Sequence, residues 1–163
     1  MIIWNLIKSL IFLYIGLIVI SIMVNYGDDF MNSPILVCIT AQLNSVNLIN
    51  SAKELSKKYK RDFAVVTILK KTADAKSRAK DLKILNKISK ECNCDIDIIY
   101  SDTVSKSLAN YVNKLKPYHI IVGSPDSSTT LFKDFVSNIY DVPISVCTDK
   151  IMYSLPTFSK EIV

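Results

Sequence analysis

Residues 35–69 read ILVCITAQLNSVNLINSAKELSKKYKRDFAVVTIL, and this stretch decides the fold. Residues 35–40 form a short continuous apolar run, which is typical of a parallel strand buried on both faces. Asn44 or Ser45 can cap the following helix, in which apolar residues recur every three or four positions. Residues 63–69 form a second apolar run. A strand, a helix and a strand in this order predict two parallel strands joined by a right-handed crossover.

The same alternation continues along the chain and predicts five strands and four helices in all. The remaining elements are a helix over 73–92, a strand over 95–100, a helix that Thr103 caps and Pro117 ends, a strand over 118–122, a helix marked by Phe132, Phe135, Val136 and Ile139, and a closing strand over 142–147. Strands that alternate with helices predict an open parallel α/β sheet with helices on both faces.

Glycine and histidine are scarce, and their scarcity excludes several functional classes. Of three glycines, only Gly123 lies beyond the apolar N-terminal region, so neither a Walker-type phosphate loop nor a dinucleotide fingerprint can be written. His119 is the single histidine, and it stands at the start of an apolar run, where a structural role is expected. No nucleophile elbow is present. We therefore expect no enzymatic activity; the alternative is a hydrolase that uses the serine-rich loop after Gly123.

The charge distribution bears on nucleic-acid binding, and the cysteine spacing bears on the redox state of the thiols. The net charge is +5, and the cations concentrate on helical segments with few aromatic residues, which predicts a solvated face rather than a nucleic-acid partner. Cys38 and Cys147 sit in apolar runs, and Cys92 and Cys94 are separated by one residue. This spacing favours free thiols in a reducing compartment, with metal binding or oxidation at Cys92 and Cys94 as the alternative.

The N-terminal residues predict a membrane anchor. Residues 1–24 are almost entirely apolar and long enough to span a bilayer, and no Ala-x-Ala cleavage pattern follows them. We expect residues 1–30 to be an uncleaved single-pass anchor with a short linker, and the domain behind it to be cytoplasmic. Lys8 before the cleaner core of the span, residues 9–24, with Asp28 and Asp29 after it, weakly favours the opposite orientation. Alternatively, Met31 is the true start and the protein is cytoplasmic.

Ligands of open α/β sheets bind outside the carboxyl ends of the strands. Two loops therefore matter, residues 40–45 after the first strand and residues 123–130 after the fourth. Gly123 would permit a tight turn or close ligand approach, and the hydroxyls that follow it lie near a helix N-terminus, where an anion is favoured. The alternative is a solvated loop with a helix cap.

Three short motifs resemble a universal stress protein domain: ILVCIT at residues 35–40, Asn44-Ser45, and IIVGSP at residues 120–125. More narrowly, they resemble the domain of this type in the potassium-sensing kinase KdpD. The resemblance covers residues 34–149, so we assign 31–149 to this domain and 150–163 to a C-terminal tail. It implies a five-stranded parallel sheet in the order 3-2-1-4-5.

The resemblance also implies an adenine-nucleotide ligand, although this sequence departs from the ATP-binding members. Those members have an aspartate after the first strand and a Gly-x2-Gly-x9-Gly-Ser/Thr motif after the fourth. This chain has Thr40, and then Gly123, Asp126, Val136 and Ser137, which argues against ATP binding in the family mode. Some KdpD domains bind cyclic di-AMP through Ser-x-Ser and Phe-Thr-Ala-x-Tyr; the same spacing gives residues 40–42 and 63–67, with partly matching chemistry. No cofactor is certain, and the candidates are cyclic di-AMP and ATP or AMP.

The resemblance thus implies a membrane-tethered, non-enzymatic sensory or regulatory module of KdpD-like type. The expected ligand-binding residues are Thr40, Gln42, Ser45, Phe63, Thr67, Gly123 and Ser124. A signalling protein is an expected partner, and a homodimer would form through the last strand, where Val142, Ile144 and Val146 could pair with a second copy. The alternative function is a protein-interaction or dimerisation domain without a ligand.

Overall fold

The chain divides into two units, Met1–Asn32 and Ser33–Val163. The computed structural model describes residues 13–18, 33–124, 137, 139, 142–147 and 152–155. In the first unit, residues 13–18 (α1) are helical and mostly exposed, and the rest of the predicted anchor and linker lies outside the described residues. Among the described residues, no helix has the length and the apolar content that crossing a bilayer requires.

The second unit alternates strands with helices as the sequence predicts. Its elements are β1 (Ile35–Ile39), α2 (Ser45–Tyr59), β2 (Phe63–Leu69), α3 (Ala75–Cys92), β3 (Asp97–Tyr100), α4 (Val104–Leu115), β4 (His119–Gly123), β5 (Ile144–Cys147) and β6 (Met152–Leu155). The sheet order is β3-β2-β1-β4-β5-β6, and the pairings from β3 to β5 are all parallel. The predicted parallel sheet in the order 3-2-1-4-5 is confirmed.

A sixth strand, β6, departs from the prediction of five strands and a separate tail. It runs antiparallel to β5, pairing Ile144 with Leu155 and Cys147 with Met152. The outer edge of β5 would otherwise present unpaired backbone groups, and a short return of the chain pairs with them. The homodimer stays a prediction, but the edge of β5 through which it is predicted to form is paired with β6 of the same chain.

The two faces of the sheet carry separate cores because successive side chains of a strand point to opposite sides. Ile35, Val37 and Ile39 face α2 and α3, where they pack with Ile49 and Leu85. On the other face, the core around α4 contains Leu36, Val66, Leu108, Val112, Ile120 and Ile139. Ile139 belongs to the predicted fourth helix, most of which lies outside the described residues. Burial on both faces explains the continuous apolar runs of β1 and β4.

The N-caps of α2 and α4 lie at predicted positions, but they lack the capping hydrogen bond that their side chains could make. Asn44 and Thr103 hold the N-cap positions of α2 and α4, but neither side chain makes a capping hydrogen bond. The Asp74 carboxylate caps α3 by accepting from the Ser77 backbone N–H at 2.9 Å. These hydrogen bonds lower the pKa of Asp74.

His119 and the cysteines have structural surroundings. His119 begins β4, its Nε2 lies 2.8 Å from the Ser145 hydroxyl, and burial lowers its pKa. All four cysteines are free. Burial raises the pKa of the Cys38 thiol to about 12 and also raises the pKa values of Cys92 and Cys94. Raised pKa values keep the thiols of Cys38, Cys92 and Cys94 protonated at neutral pH, which makes them poor nucleophiles.

Two helices end on a lysine in an unfavourable backbone conformation. Lys60 after α2 and Lys116 after α4 have φ of 52° and 50°, a region that glycine or asparagine occupies at lower cost. We expect Lys60→Gly and Lys116→Gly each to raise the free energy of unfolding by about 1 kcal/mol in urea denaturation. Asn93 ends α3 at φ 45°, and Asn93→Gly is the control with a smaller gain. A lower free energy of unfolding in either lysine variant would contradict the claim that the lysine backbone is strained.

Candidate functional site

The carboxyl ends of β1 and β4 lie side by side and define what we call the carboxyl edge of the sheet. The two strands are parallel, and Cys38 pairs with Val122. Extending this register by two residues brings Thr40 level with Ser124. Both residues are exposed immediately after their strands end. Two hydroxyls on neighbouring strands thus face solvent at the place where open α/β sheets bind ligands.

The loop from β1 to α2 folds back on the carbonyl of Thr40. That oxygen accepts from the Gln42 backbone N–H at 2.8 Å and from the Ser45 hydroxyl at 2.9 Å. Ser45 is 1% exposed, so its hydroxyl fixes the loop and is not available at the surface. Gln42 is exposed beside Thr40. The structure therefore brings Thr40, Gln42 and Ser124 to one surface and places Ser45 beneath it.

The first amides of α2 are already used by the loop. The N–H groups of Ser45, Val46 and Asn47 donate to the carbonyls of residues 42, 43 and 44 at 3.0, 3.2 and 3.1 Å. A ligand at this helix end would therefore meet side chains and the helix dipole rather than open backbone donors. The Asn44 side chain is exposed and makes no capping bond, so it is a further candidate contact. The sequence suggests a helix-cap role for Asn44 and therefore does not identify it as a ligand contact.

Gly123 serves the packing of α2 rather than a turn. No described glycine has a positive φ, and Gly123 continues the ladder by pairing with Cys147. A Cβ built on Gly123 would lie 3.4 Å from the Leu48 Cδ1. The lack of a side chain therefore lets α2 lie close over the carboxyl end of β4. The predicted role of Gly123 in a tight turn is corrected to close helix packing, and the glycine still stands next to exposed Ser124.

Phe63 and Thr67 are not surface residues of the carboxyl edge. Phe63 pairs with Ile35 at the opposite, amino edge of the sheet, about 13 Å along the strand from Thr67, and packs against the α2/α3 core. Thr67 pairs with Ile39 and is 1% exposed. The spacing of the KdpD motif suggested a common site, but the parallel register separates its two ends. The structure thus separates Phe63 from Thr40 and buries Thr67.

The Thr67 hydroxyl has no hydrogen-bond partner among the described residues. A buried polar group without a partner costs free energy, and valine has the same shape without the hydroxyl. We expect Thr67→Val to raise the free energy of unfolding by about 1 kcal/mol in urea denaturation. Thr40→Val, at an exposed threonine, is the control and is expected to change it by less than about 0.5 kcal/mol. Destabilisation by Thr67→Val would mean that the hydroxyl is satisfied.

The neighbouring loops add positive charge that the sequence reasoning missed. Lys70 and Lys71 follow β2 and are exposed at the carboxyl edge. Nearby, Asp102 accepts hydrogen bonds from the Thr72 hydroxyl at 2.8 Å and the Thr72 N–H at 3.0 Å, which lower its pKa. Its carboxylate thus ties the β2–α3 and β3–α4 loops together. The sequence places both lysines directly after the predicted strand over 63–69, and this position could have identified them as residues of the carboxyl edge.

Chemically, the described part of the carboxyl edge offers hydroxyls, amides and ammonium groups, together with the Asp74 and Asp102 carboxylates, which accept hydrogen bonds from Ser77 and Thr72. His119 lies at the amino edge, about 16 Å along the sheet from the level of Thr40. Among the residues described, no three metal-ligating side chains come together. Most of the serine-rich loop, residues 125–130, lies outside the described residues. The arrangement suits recognition of a polar anion.

Several solved structures share this architecture. A candidate universal stress protein from Pseudomonas aeruginosa UCBPP-PA14 matches with a TM-score of 0.59 and 10% identity, over 73% of this chain and 48% of that chain. A universal stress protein in complex with cAMP matches with a TM-score of 0.55 and 8% identity, over 73% and 98% of the two chains. The universal stress protein from Archaeoglobus fulgidus in complex with dAMP matches with a TM-score of 0.50 and 10% identity, over 72% and 98%.

The sequence itself is far from known families. No protein-family model matches it, and no curated protein matches it significantly. The chain spans about half the length of the Pseudomonas protein. At these identities the likeness concerns the fold alone. Two of the proteins that share this fold were solved in complex with cAMP and dAMP. The chain therefore has the fold of the universal stress proteins.

Proposed function

We propose that this chain is a non-enzymatic, membrane-tethered regulatory module that binds an adenine nucleotide or cyclic di-AMP at the carboxyl edge. The observation that carries the proposal is the pair of exposed hydroxyl residues, Thr40 and Ser124, level with each other on adjacent parallel strands. Structures of the same fold contain cAMP and dAMP. The resemblance to KdpD supports a sensory role, with the domain on the cytoplasmic side of a single span over residues 1–24.

Two exposed lysines at the edge favour an anionic ligand, and the nearby Asp74 and Asp102 carboxylates, which accept hydrogen bonds from Ser77 and Thr72, partly offset their charge. Lys70 and Lys71 are exposed, and the α2 N-terminus adds a partial positive charge. Thr40, Gln42 and Asn44 supply hydroxyl and amide groups, which can both donate and accept hydrogen bonds. These groups suit a phosphate and a purine edge. Asp126 stands where ATP-binding relatives have glycine, which favours a ligand with fewer phosphate charges than ATP.

The distribution of proton acceptors among the described residues supports the proposed non-enzymatic role. A hydroxyl nucleophile needs a base within hydrogen-bond reach. His119 lies at the other edge of the sheet, and the Asp102 carboxylate is engaged by Thr72. Binding that shifts the equilibrium between conformations or partners is then the output of the module.

Calorimetric titration of the full chain with cyclic di-AMP, AMP, cAMP and ATP tests the proposal. We expect binding of at least one of the first three, and Ser124→Asp should weaken it by at least tenfold because its carboxylate would oppose the phosphate. Asn110→Asp adds the same charge at an exposed position of α4, and a change of less than twofold is expected. Equal losses in the two variants would place the ligand elsewhere.

The alternative function is a protein-interaction domain without a ligand. Two observations favour it: the first α2 amides donate to the loop's own carbonyls, and Leu48 packs over Gly123. Both reduce the room and the donors that a phosphate could use. The absence of heat and of any thermal shift with all four ligands at millimolar concentration would support this alternative and overturn nucleotide binding.

A further inference from the structure

The amino edge of the sheet, opposite the candidate site, carries a concentration of cations. Here α2, α3 and α4 end and the parallel strands begin. The cations, which we call the basic edge, are Lys57, Lys58, Lys60, Arg61, Lys90, Lys114 and Lys116. All except Arg61 are exposed. Among the residues that the structure describes, the carboxylates at this edge are Asp62, Glu91, Asp95 and Asp97, and Asp97 accepts a hydrogen bond from the Tyr111 hydroxyl.

Helix stability explains only part of this pattern. Lysines in the last turn of a helix interact favourably with the helix dipole, which accounts for Lys57, Lys58, Lys90 and Lys114. The dipole does not require a lysine at the left-handed residue that follows, where glycine or asparagine fits with less strain. Lys60 and Lys116 both occupy that position at this edge. Both lysines therefore add exposed charge to this edge at a cost in backbone strain.

An aromatic group lies among these cations. Tyr59 is 43% exposed, and its ring centroid is 5.6 Å from that of Tyr118. The Arg61 guanidinium stacks 3.9 Å from the Tyr118 ring centroid, and the Lys58 ammonium lies 5.4 Å from the Tyr59 centroid. Exposed tyrosine flanked by lysine and arginine is the composition found at the membrane–water interface.

The chain enters the domain at the same edge. The Arg61 Nη1 donates to the Ser33 carbonyl at 3.0 Å, and the Tyr118 N–H donates to the Pro34 carbonyl at 2.9 Å. Eight residues, 25–32, separate Ser33 from the apolar segment over 1–24. Their maximum reach is about 28 Å. With residues 1–24 in a bilayer, this length limits how far Ser33 can lie from the membrane, and Asp28 and Asp29 in the linker oppose attraction to an anionic surface.

We propose that the basic edge docks on the anionic phospholipid surface of the membrane. Lysine and arginine near such a surface are attracted to its negative potential, which acts over about one Debye length, ~8 Å at physiological salt. Docking holds the carboxyl edge, at the other end of every parallel strand, away from the lipid and open to a soluble ligand. The inference rests on the membrane tether of the proposed function.

Fluorescence quenching of the full chain in vesicles tests the docking. Trp4 is the single tryptophan, so a Trp4→Phe, Tyr59→Trp chain carries its only tryptophan on the basic edge, where excitation at the red end of the indole absorption avoids the tyrosines. The vesicles are phosphatidylcholine alone or phosphatidylcholine with 30 mol% phosphatidylglycerol, each containing a lipid spin-labelled at its headgroup. We expect at least twofold stronger quenching in the anionic vesicles, reversed by 0.5 M NaCl because salt screens the attraction.

Two triple variants distinguish the effect of charge at the basic edge from the effect of the net charge of the protein. Lys57→Gln, Lys60→Gly, Lys116→Gly is expected to reduce quenching to the level of neutral vesicles while keeping the fold, since both glycines relieve strain. Lys76→Gln, Lys80→Gln, Lys83→Gln removes three exposed charges from α3 outside the basic edge and is expected to leave quenching unchanged. Equal quenching in neutral and anionic vesicles, or equal losses in both variants, would overturn docking. Flotation with neutral vesicles reports the tether separately, and its absence would refute that part of the proposed function.

Discussion

Replacing Ile49 with alanine is expected to lower the free energy of unfolding by about 3 kcal/mol. Ile49 is 0% exposed and joins α2 to the core over β1, together with Ile35, Val37 and Ile121. Truncation removes three methyl or methylene groups from the core and leaves a cavity that the surrounding sheet cannot fill. Urea denaturation followed by circular dichroism measures the change.

Leu43→Ala is the matched control for this truncation. Leu43 lies in the loop just before α2 and is 51% exposed, so its loss is expected to cost less than about 0.5 kcal/mol. From its place in the loop after β1, a Leu43 side chain turned inward would fill the space between the ends of β1 and β4. A cost comparable to that of Ile49→Ala would mean that Leu43 packs into this space, contrary to the structure.

Replacing Gly123 with valine is expected to cost about 2 kcal/mol of stability. Its Cβ would meet the Leu48 Cδ1 at 3.4 Å, an acceptable contact, but the two γ-methyl groups would extend further and push Leu48 and α2 outward. Because α2 begins just after the Thr40 loop, the same displacement is expected to weaken ligand binding. Thermal denaturation and calorimetric titration measure the two effects.

Gly123→Ala distinguishes helix packing from a backbone requirement. Alanine reaches only the ordinary contact distance, and the backbone of Gly123 has no positive φ, so we expect a change of less than about 1 kcal/mol. If alanine were as destabilising as valine, the glycine would be needed for its backbone conformation, and the assignment to helix packing would be wrong.

The sequence predicts the parallel sheet well because burial on both faces leaves a clear signature. The run over 63–69 is a strand with the predicted bounds, β1 ends one residue earlier than predicted, and β4 is shifted by one residue at both ends. Continuous apolar stretches of this length, separated by helical periodicity, leave little choice of architecture. Strand order required the family resemblance, since periodicity alone does not say which parallel strands are neighbours.

The candidate site was predicted less completely, for three physical reasons. Motif spacing places Phe63 and Thr67 in one group, whereas the register of β1 with β2 sends Phe63 to the amino edge and buries Thr67. A lone glycine beside a loop suggests a turn, but its closeness to Leu48 depends on helix packing that no local pattern encodes. The stretch that forms β6 is short, and the sequence places it in a C-terminal tail, because its strand conformation depends on pairing with the edge of β5, which the sequence does not show.

Amide chemical-shift mapping with cyclic di-AMP tests the central claim most directly. Addition of the ligand to the isotope-labelled full chain is expected to shift the amides of residues 40–45 together with those of Gly123 and Ser124, on both sides of the β1–β4 boundary. Amides at the amino edge, such as those of Lys60 and Tyr118, are expected to stay in place. Shifts confined to the amino edge, or none at millimolar cyclic di-AMP, AMP and cAMP, would contradict a nucleotide site between the ends of β1 and β4.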